Sequence, residues 1–259
     1  GIGSAMVGLR PIVEIMTINF LLMAIDQVVN HAAKLRYMSN GQISVPLVIR
    51  TVTGGGAQLA ATHSQSLEGW LASVPGLKVV VPSDPYDALG LLRTSIEDND
   101  PVIFAEHALL YGVNGEVPED YYSIPFGQAA VKRTGADVTL VGYSKMVHEC
   151  LEAAVKFENM GISAEVIDLR TLRPLDTKTV FDSVKKTNRI VIVEEVWQTG
   201  GFSGELVSSV QEECFDYLDG PVGRVSGLDV PAPYNGTLEA STIPDSDKII
   251  EAVRRLYGI

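Results

Sequence analysis

Apolar positions along this chain follow two alternating rhythms. Short runs with no polar alternation, such as Val45-Pro46-Leu47-Val48-Ile49 and Pro101-Val102-Ile103-Phe104-Ala105, suit central strands covered on both faces. Between them lie longer stretches with apolar residues at helical spacing, as Leu21, Ile25, Val28, Ala32 and Leu35 are within residues 20–38. The first half therefore predicts a strand over 11–18, a helix over 20–38, a strand over 45–51, a short helix over 67–72 and a strand over 77–81. A helix from Asp84-Pro85 to Ile96, with proline near its first turn, and a strand over 101–105 complete it. Such β-α-β alternation specifies a parallel sheet with right-handed crossovers. Residues 1–8 read as a helix entered midway, with no cap and no strand before it, so the chain is expected to begin inside a domain.

Residues 108–130 break the rhythm with prolines, glycines, Tyr121-Tyr122 and acidic residues, as a linker between domains does. The rhythm then resumes, with strands over 137–143, 164–169, 189–194 and 223–226 and helices over 146–160, 177–185, 204–218 and 245–256. The expected fold is two parallel-sheet α/β domains, residues 1–125 and 131–259. The chain is acidic, with 32 Asp and Glu against 20 Lys and Arg and a net charge of −12, which argues against a general nucleic-acid or anionic-membrane surface. Charge interrupts every apolar stretch before the roughly 20 residues that span a bilayer. Cys150 and Cys214 both fall on amphipathic helices of a chain large enough to fold without staples, so reduced buried thiols in a reducing compartment are expected.

The strand over 45–51 runs into Gly54-Gly55-Gly56-Ala57-Gln58-Leu59-Ala60-Ala61-Thr62-His63-Ser64-Gln65. In open α/β sheets ligands bind beyond the carboxyl ends of the strands, and glycines there let backbone approach a ligand closely. His63 has hydroxyl neighbours on this loop and suits proton chemistry. His31 and His148 fall on helices and read as packing or surface residues, whereas His107 follows a strand and can also reach a sheet end. No histidine or cysteine pair has zinc spacing, and no acidic cluster has calcium-loop spacing. The helix end Ser95-Ile96-Glu97-Asp98-Asn99-Asp100 offers unpaired carbonyls and carboxylates to a monovalent cation, or is an ordinary polar helix terminus. Neither a phosphate-binding glycine loop nor a Gly-x-Ser-x-Gly elbow is found.

A series of motifs runs through both halves: Gly8-Leu9-Arg10-Pro11, Met16-Thr17-Ile18-Asn19-Phe20, Ala24-Ile25-Asp26-Gln27, Thr62-His63-Ser64-Gln65, Val74-Pro75-Gly76-Leu77-Lys78-Val79, Asp168-Leu169-Arg170-Thr171-Leu172-Arg173-Pro174 and Asp229-Val230-Pro231-Ala232-Pro233-Tyr234. In order, they resemble the β chains of the thiamine-diphosphate-dependent 2-oxo acid dehydrogenase family, of the pyruvate dehydrogenase type built from separate α and β chains. The resemblance implies a pyrimidine-binding domain lacking its N-terminal part and a transketolase C-terminal-like domain. It implies an activity that decarboxylates pyruvate and passes the acetyl group to lipoyl groups. By the same resemblance Phe20 lies against the aminopyrimidine ring, and His63 is the catalytic residue facing the reactive carbon. Potassium is held by Leu47, Ser95 and Ile96, through backbone carbonyls, and by Asp98 and Asp100, the last where the family often has asparagine. Magnesium belongs to the α chain, which holds the diphosphate. The implied partners are that α subunit, a second β chain, and the dihydrolipoyl acetyltransferase core with its lipoyl domain, with no nucleic acid and no membrane. The implied location is the bacterial cytoplasm, the mitochondrial matrix or the plastid stroma. The family's activating glutamate precedes the equivalent of Gly1, and Glu14 is no substitute for it. Two other readings follow: a branched-chain 2-oxo acid dehydrogenase β chain, or a non-catalytic assembly module.

Overall fold

The computed structural model describes residues 1–258, and in it the strands form two five-stranded sheets. In chain order the strands are β1 (Ile12–Ile15), β2 (Val48–Thr53), β3 (Lys78–Val80), β4 (Val102–His107), β5 (Ala130–Arg133), β6 (Val138–Gly142), β7 (Ala164–Asp168), β8 (Thr171–Arg173), β9 (Ile190–Trp197) and β10 (Gly223–Gly227). The first sheet has the order β1-β2-β4-β3-β8 and the second β10-β9-β6-β7-β5. Both are parallel except at one edge, where β8 runs antiparallel to β3 and β5 antiparallel to β7. Two α/β layers therefore stand as the hydrophobic pattern predicts, each with an added antiparallel edge strand.

Local chemistry moves several boundaries. The strand expected over 11–18 stops at Ile15, because Thr17 Oγ1 accepts the Asn19 N–H and opens a helix at Ile18–Leu21. The single helix expected over 20–38 is instead a succession of short pieces, with a 3-10 turn at Leu22–Ala24, a π-helical stretch at Gln27–Ala32 and an α-helical turn at Leu35–Met38. The wider π turn, closed by Ala33 N–H donating to Val28 O, brings Val28, Ala32 and Ala33 to one buried face. The expected linker is tied down as well. Ile124 packs with Val48, Val80, Leu91, Val102 and Phe104, and its carbonyl accepts from Thr94 Oγ1, while β5 begins at Ala130 inside the stretch. A helix at Gly236–Thr242 also goes beyond the sequence pattern, capped by Asn235.

One apolar cluster joins the sheets, with Leu71, Val79 and Val81 from the first half packed in a continuous core with Val141, Leu169, Val180, Ile192 and Leu206 from the second. Each fully buried large side chain contributes roughly 1.5–3 kcal/mol. A second core lies under the helices Met146–Glu158 and Ser246–Tyr257. It takes in Cys150, while Cys214 belongs to the shared core, and both are buried free thiols as expected. Among the described residues no helix is long and apolar enough to cross a membrane. Beyond the carboxyl end of β2, Gly55 and Ser64 lie with Glu195 of β9 and with Gly227 and Ile243 around one pocket, and this juxtaposition builds the site.

Candidate active site

β2 ends at Thr53, in register with His107 at the end of β4. Gly54 then turns with φ of +91°, and a Cβ there would lie 2.1 Å from His107 Nε2, so only glycine lets the chain pass. Past it the loop is fastened at three points. Gly54 N–H donates to Gln65 O at 3.4 Å, Gly55 N–H to Glu195 Oε1 at 2.5 Å, and Gln58 N–H to Glu239 Oε2 at 2.8 Å. The tip carries His63, exposed, with Nδ1 2.8 Å from Thr62 Oγ1. Its ring and that of Phe20 stand T-shaped, 5.2 Å apart between centroids and at 88° between planes. The structure thus brings together the two residues singled out from separate parts of the sequence, and Phe20 keeps 40% of its surface open beside the histidine.

Beneath the loop lies a set of buried ionisable groups, of which sequence reasoning reached only His107. His107 Nδ1 accepts the Leu109 N–H, so Nε2 carries the proton and donates to Glu195 Oε2 at 2.8 Å. Burial alone would raise the Glu195 carboxyl, but the bonds from His107 and from Gly55 N–H hold it below its ordinary value, as a carboxylate. Glu68 lies buried beside the end of β2. Burial pushes its carboxyl up to about 7, against the opposing hydrogen bond from Thr53 Oγ1 at 2.7 Å. Glu194 alternates to the opposite face of β9 and accepts from Ser203 N–H at 2.9 Å and Ser226 Oγ at 3.1 Å, away from the loop. The available signal was the pair Glu194-Glu195 in an otherwise apolar strand, since a charge buried in a central strand needs a partner. The other two histidines fall as expected: His31 is exposed on the π-helical stretch, and His148 donates to Ser83 O at 2.8 Å.

The residues expected to hold a cation gather elsewhere, before the amino end of β2 and so roughly 20 Å from Gly54 at strand rise. Ile96 and Asp98 turn their carbonyls to a single nitrogen, Arg10 Nη1, at 2.9 and 2.8 Å. Lys78 Nζ reaches the Asp98 carboxylate at 2.5 and 2.6 Å and Asp100 at 3.3 Å, and Arg36 reaches Asp100 at 2.6 Å. Burial would raise Asp100, but Arg36 and Lys78 hold it below the ordinary carboxylate range. Ser95 Oγ donates to Leu91 O, and Leu47 O accepts the Val102 N–H at 2.9 Å. Among the described residues no group of three or more His, Cys, Asp and Glu side chains gathers as a metal-ligand set.

Both halves of the chain match known domains. Residues 1–113 match the model of the transketolase pyrimidine binding domain, and residues 127–249 that of the transketolase C-terminal domain. The pyruvate dehydrogenase E1 component subunit beta of Porphyra purpurea is 49% identical over 99% of this chain and 78% of its own length. A mitochondrial subunit beta-2 of the same component from Oryza sativa subsp. japonica is 50% identical over 98% of this chain and 69% of its own. The chain belongs to the pyruvate dehydrogenase E1 β-subunit family. That family is one of thiamine-diphosphate-dependent oxidoreductases, and the E1 β fold extends to more distant proteins. A solved structure described as a split gene transketolase, inactive beta4 tetramer, superposes with a TM-score of 0.83 over 99% of this chain and 79% of that one, at 24% identity, a likeness of fold.

Proposed function

We propose that this E1 β chain works with an α subunit to decarboxylate pyruvate and to pass the acetyl group to lipoyl groups of a dihydrolipoyl acetyltransferase, a step that feeds acetyl-CoA formation. The observation that carries this reading is the edge contact between Phe20 and His63 at the mouth of a loop fastened by buried carboxylates. Thiamine diphosphate, when bound, supplies the electron sink that a 2-oxo acid needs to lose carbon dioxide. Phe20 offers its open face to the aminopyrimidine ring, an apolar platform on an otherwise fixed helix start. His63 serves proton exchange during acyl transfer. The Thr62 hydroxyl can donate to His63 Nδ1 or accept from it, so either tautomer is supported and Nε2 can give or take a proton.

The same reading assigns the remaining groups. The diphosphate and its magnesium belong to the α subunit. Potassium would be held by the carbonyls of Leu47, Ser95 and Ile96 with Asp98 and Asp100, since two carbonyls there already converge on one cationic nitrogen and each oxygen keeps a second lone pair. A second β chain and the lipoyl domain of the acetyltransferase core complete the partners. The pyrimidine-binding part spans residues 1–125 and the C-terminal part 131–259. The location is the cytoplasm of a bacterium, or else the mitochondrial matrix or plastid stroma. The test assembles the protein carrying this chain with an α subunit and measures carbon dioxide release and lipoyl acetylation. Pyruvate should be preferred. Preference for 3-methyl-2-oxobutanoate would assign the branched-chain type, and no turnover with either would refute the reading.

A further inference from the structure

The Gly54 to Gln65 loop receives its fixed shape from the second half of the chain. Glu195, on β9, and Glu239, on the helix Gly236–Thr242, are 140 and 181 residues from the amides they accept. Glu239 is 1% exposed and the Glu195 side chain 8%, and both present an oxygen to Gly55, since a Cβ built there would lie 3.5 Å from Glu195 Oε1 and 3.5 Å from Glu239 Oε1. Glu239 Oε1 has no hydrogen-bond partner among the described residues. Non-glycine residues Gln58 and Ala60 hold φ of 57° and 66° in the same loop, a conformation that persists only where surrounding contacts impose it. The amide of Gln58 is the one that Glu239 takes. His107 completes the set by fixing which oxygen of Glu195 faces the loop, through the proton on Nε2.

We infer that Glu195, oriented by His107 and seconded by Glu239, is the positioning residue that sets His63 for acyl transfer. None of the three reaches the tip, so the effect travels through the stem. Gly54 and Gln65 are pinned to each other, Gly55 and Gln58 to the carboxylates, and His63 N–H to Ala60 O at 3.2 Å. The position of the reactive histidine is thereby set by the packing of one sheet against the other. This inference rests on the role proposed for His63, and its test separates the two.

In the assembled α and β enzyme, Glu195→Gln keeps the shape but sets an amide N–H against either His107 Nε2 or Gly55 N–H, breaking one bond of the relay. Hydrogen exchange of the peptide covering residues 54–65 should rise. Lipoyl acetylation should fall roughly tenfold, the equivalent of one charge-assisted hydrogen bond, with the KM for pyruvate unchanged. His107→Gln, whose side-chain amide can still donate to Glu195, should retain most of the activity that His107→Ala loses. Combining Glu195→Gln with His63→Ala should add no further loss to His63→Ala alone. Unchanged exchange in residues 54–65, or losses that multiply in the double variant, would overturn the inference. A His63→Ala enzyme with full lipoyl acetylation would refute the role of His63 instead, and the exchange measurement would still report whether Glu195 holds the loop.

Discussion

The two ends of β2 are fastened by opposite chemistry. At its carboxyl end, backbone N–H groups of the glycine loop are taken by carboxylates that come from the second half of the chain. Before its amino end, the carbonyls of Ile96 and Asp98 and the carboxylates of Asp98 and Asp100 are taken by Arg10, Lys78 and Arg36, all from the first half. One arrangement leaves an exposed tip with His63 beside Phe20, and the other matches the carboxylates of Asp98 and Asp100 and the carbonyls of Ile96 and Asp98 with cationic side chains. The lesson is that the reactive loop depends on how the sheets pack, while the helix end is a local device of the first sheet. Changes at the first should disturb chemistry as well as stability, and changes at the second mainly stability.

The harshest way to break this contrast is Gly54→Ala. The new methyl group would meet the His107 ring in a left-handed backbone conformation, at a cost of roughly 4 kcal/mol from strain and overlap together. A fall of the thermal midpoint with loss of lipoyl acetylation is expected, and retention of both would show that the stem is loose. A pH series on Glu68→Gln sharpens the same end. Burial raises the Glu68 carboxyl from 4.5 to about 7, so the native state binds the proton more tightly than the unfolded chain. Stability therefore falls as pH climbs from about 4.5 to 7, and glutamine, which needs no proton, should gain up to about 3 kcal/mol at pH 8 and almost nothing at pH 4. Equal effects at both pH values would contradict the assignment. At the other end, Arg10→Ala should cost only about 1 kcal/mol, because carbonyls near the surface regain water. It should also leave Ile96 O and Asp98 O to potassium, so potassium chloride should raise the midpoint of the variant more than that of the parent chain. An equal response would count against the cation site.

Much of this was legible in the sequence, for reasons that particular residues make clear. β4, β6 and β7 are largely buried on both faces, as is the start of β2, so mostly apolar runs such as Val102-Ile103-Phe104-Ala105 announced them. β8 is three residues of polar character that become a strand only by lying against β3, and no periodicity within Thr171–Arg173 carries that information. The long helical pattern over 20–38 had the right apolar face, but the π turn that seats Val28, Ala32 and Ala33 is a tertiary accommodation. His63 stood out because glycines and hydroxyls surround it locally. Phe20 was found through family resemblance, and its closeness to His63 appears only in the fold. Glu195 and Glu239 were beyond reach because their meaning lies in amides far away in the chain, although a charged pair in an apolar strand was a hint.

The most direct test of the account is a comparison of two half-reactions in the assembled enzyme bearing His63→Ala. Carbon dioxide release from pyruvate with an artificial electron acceptor should change little, while acetyl transfer to the lipoyl domain should fall by about 10² to 10⁴-fold, the usual contribution of a general acid or base. Equal losses in both assays, or none in either, would contradict the claim that the loop held between the sheets exists to place a proton-transferring histidine for acyl transfer.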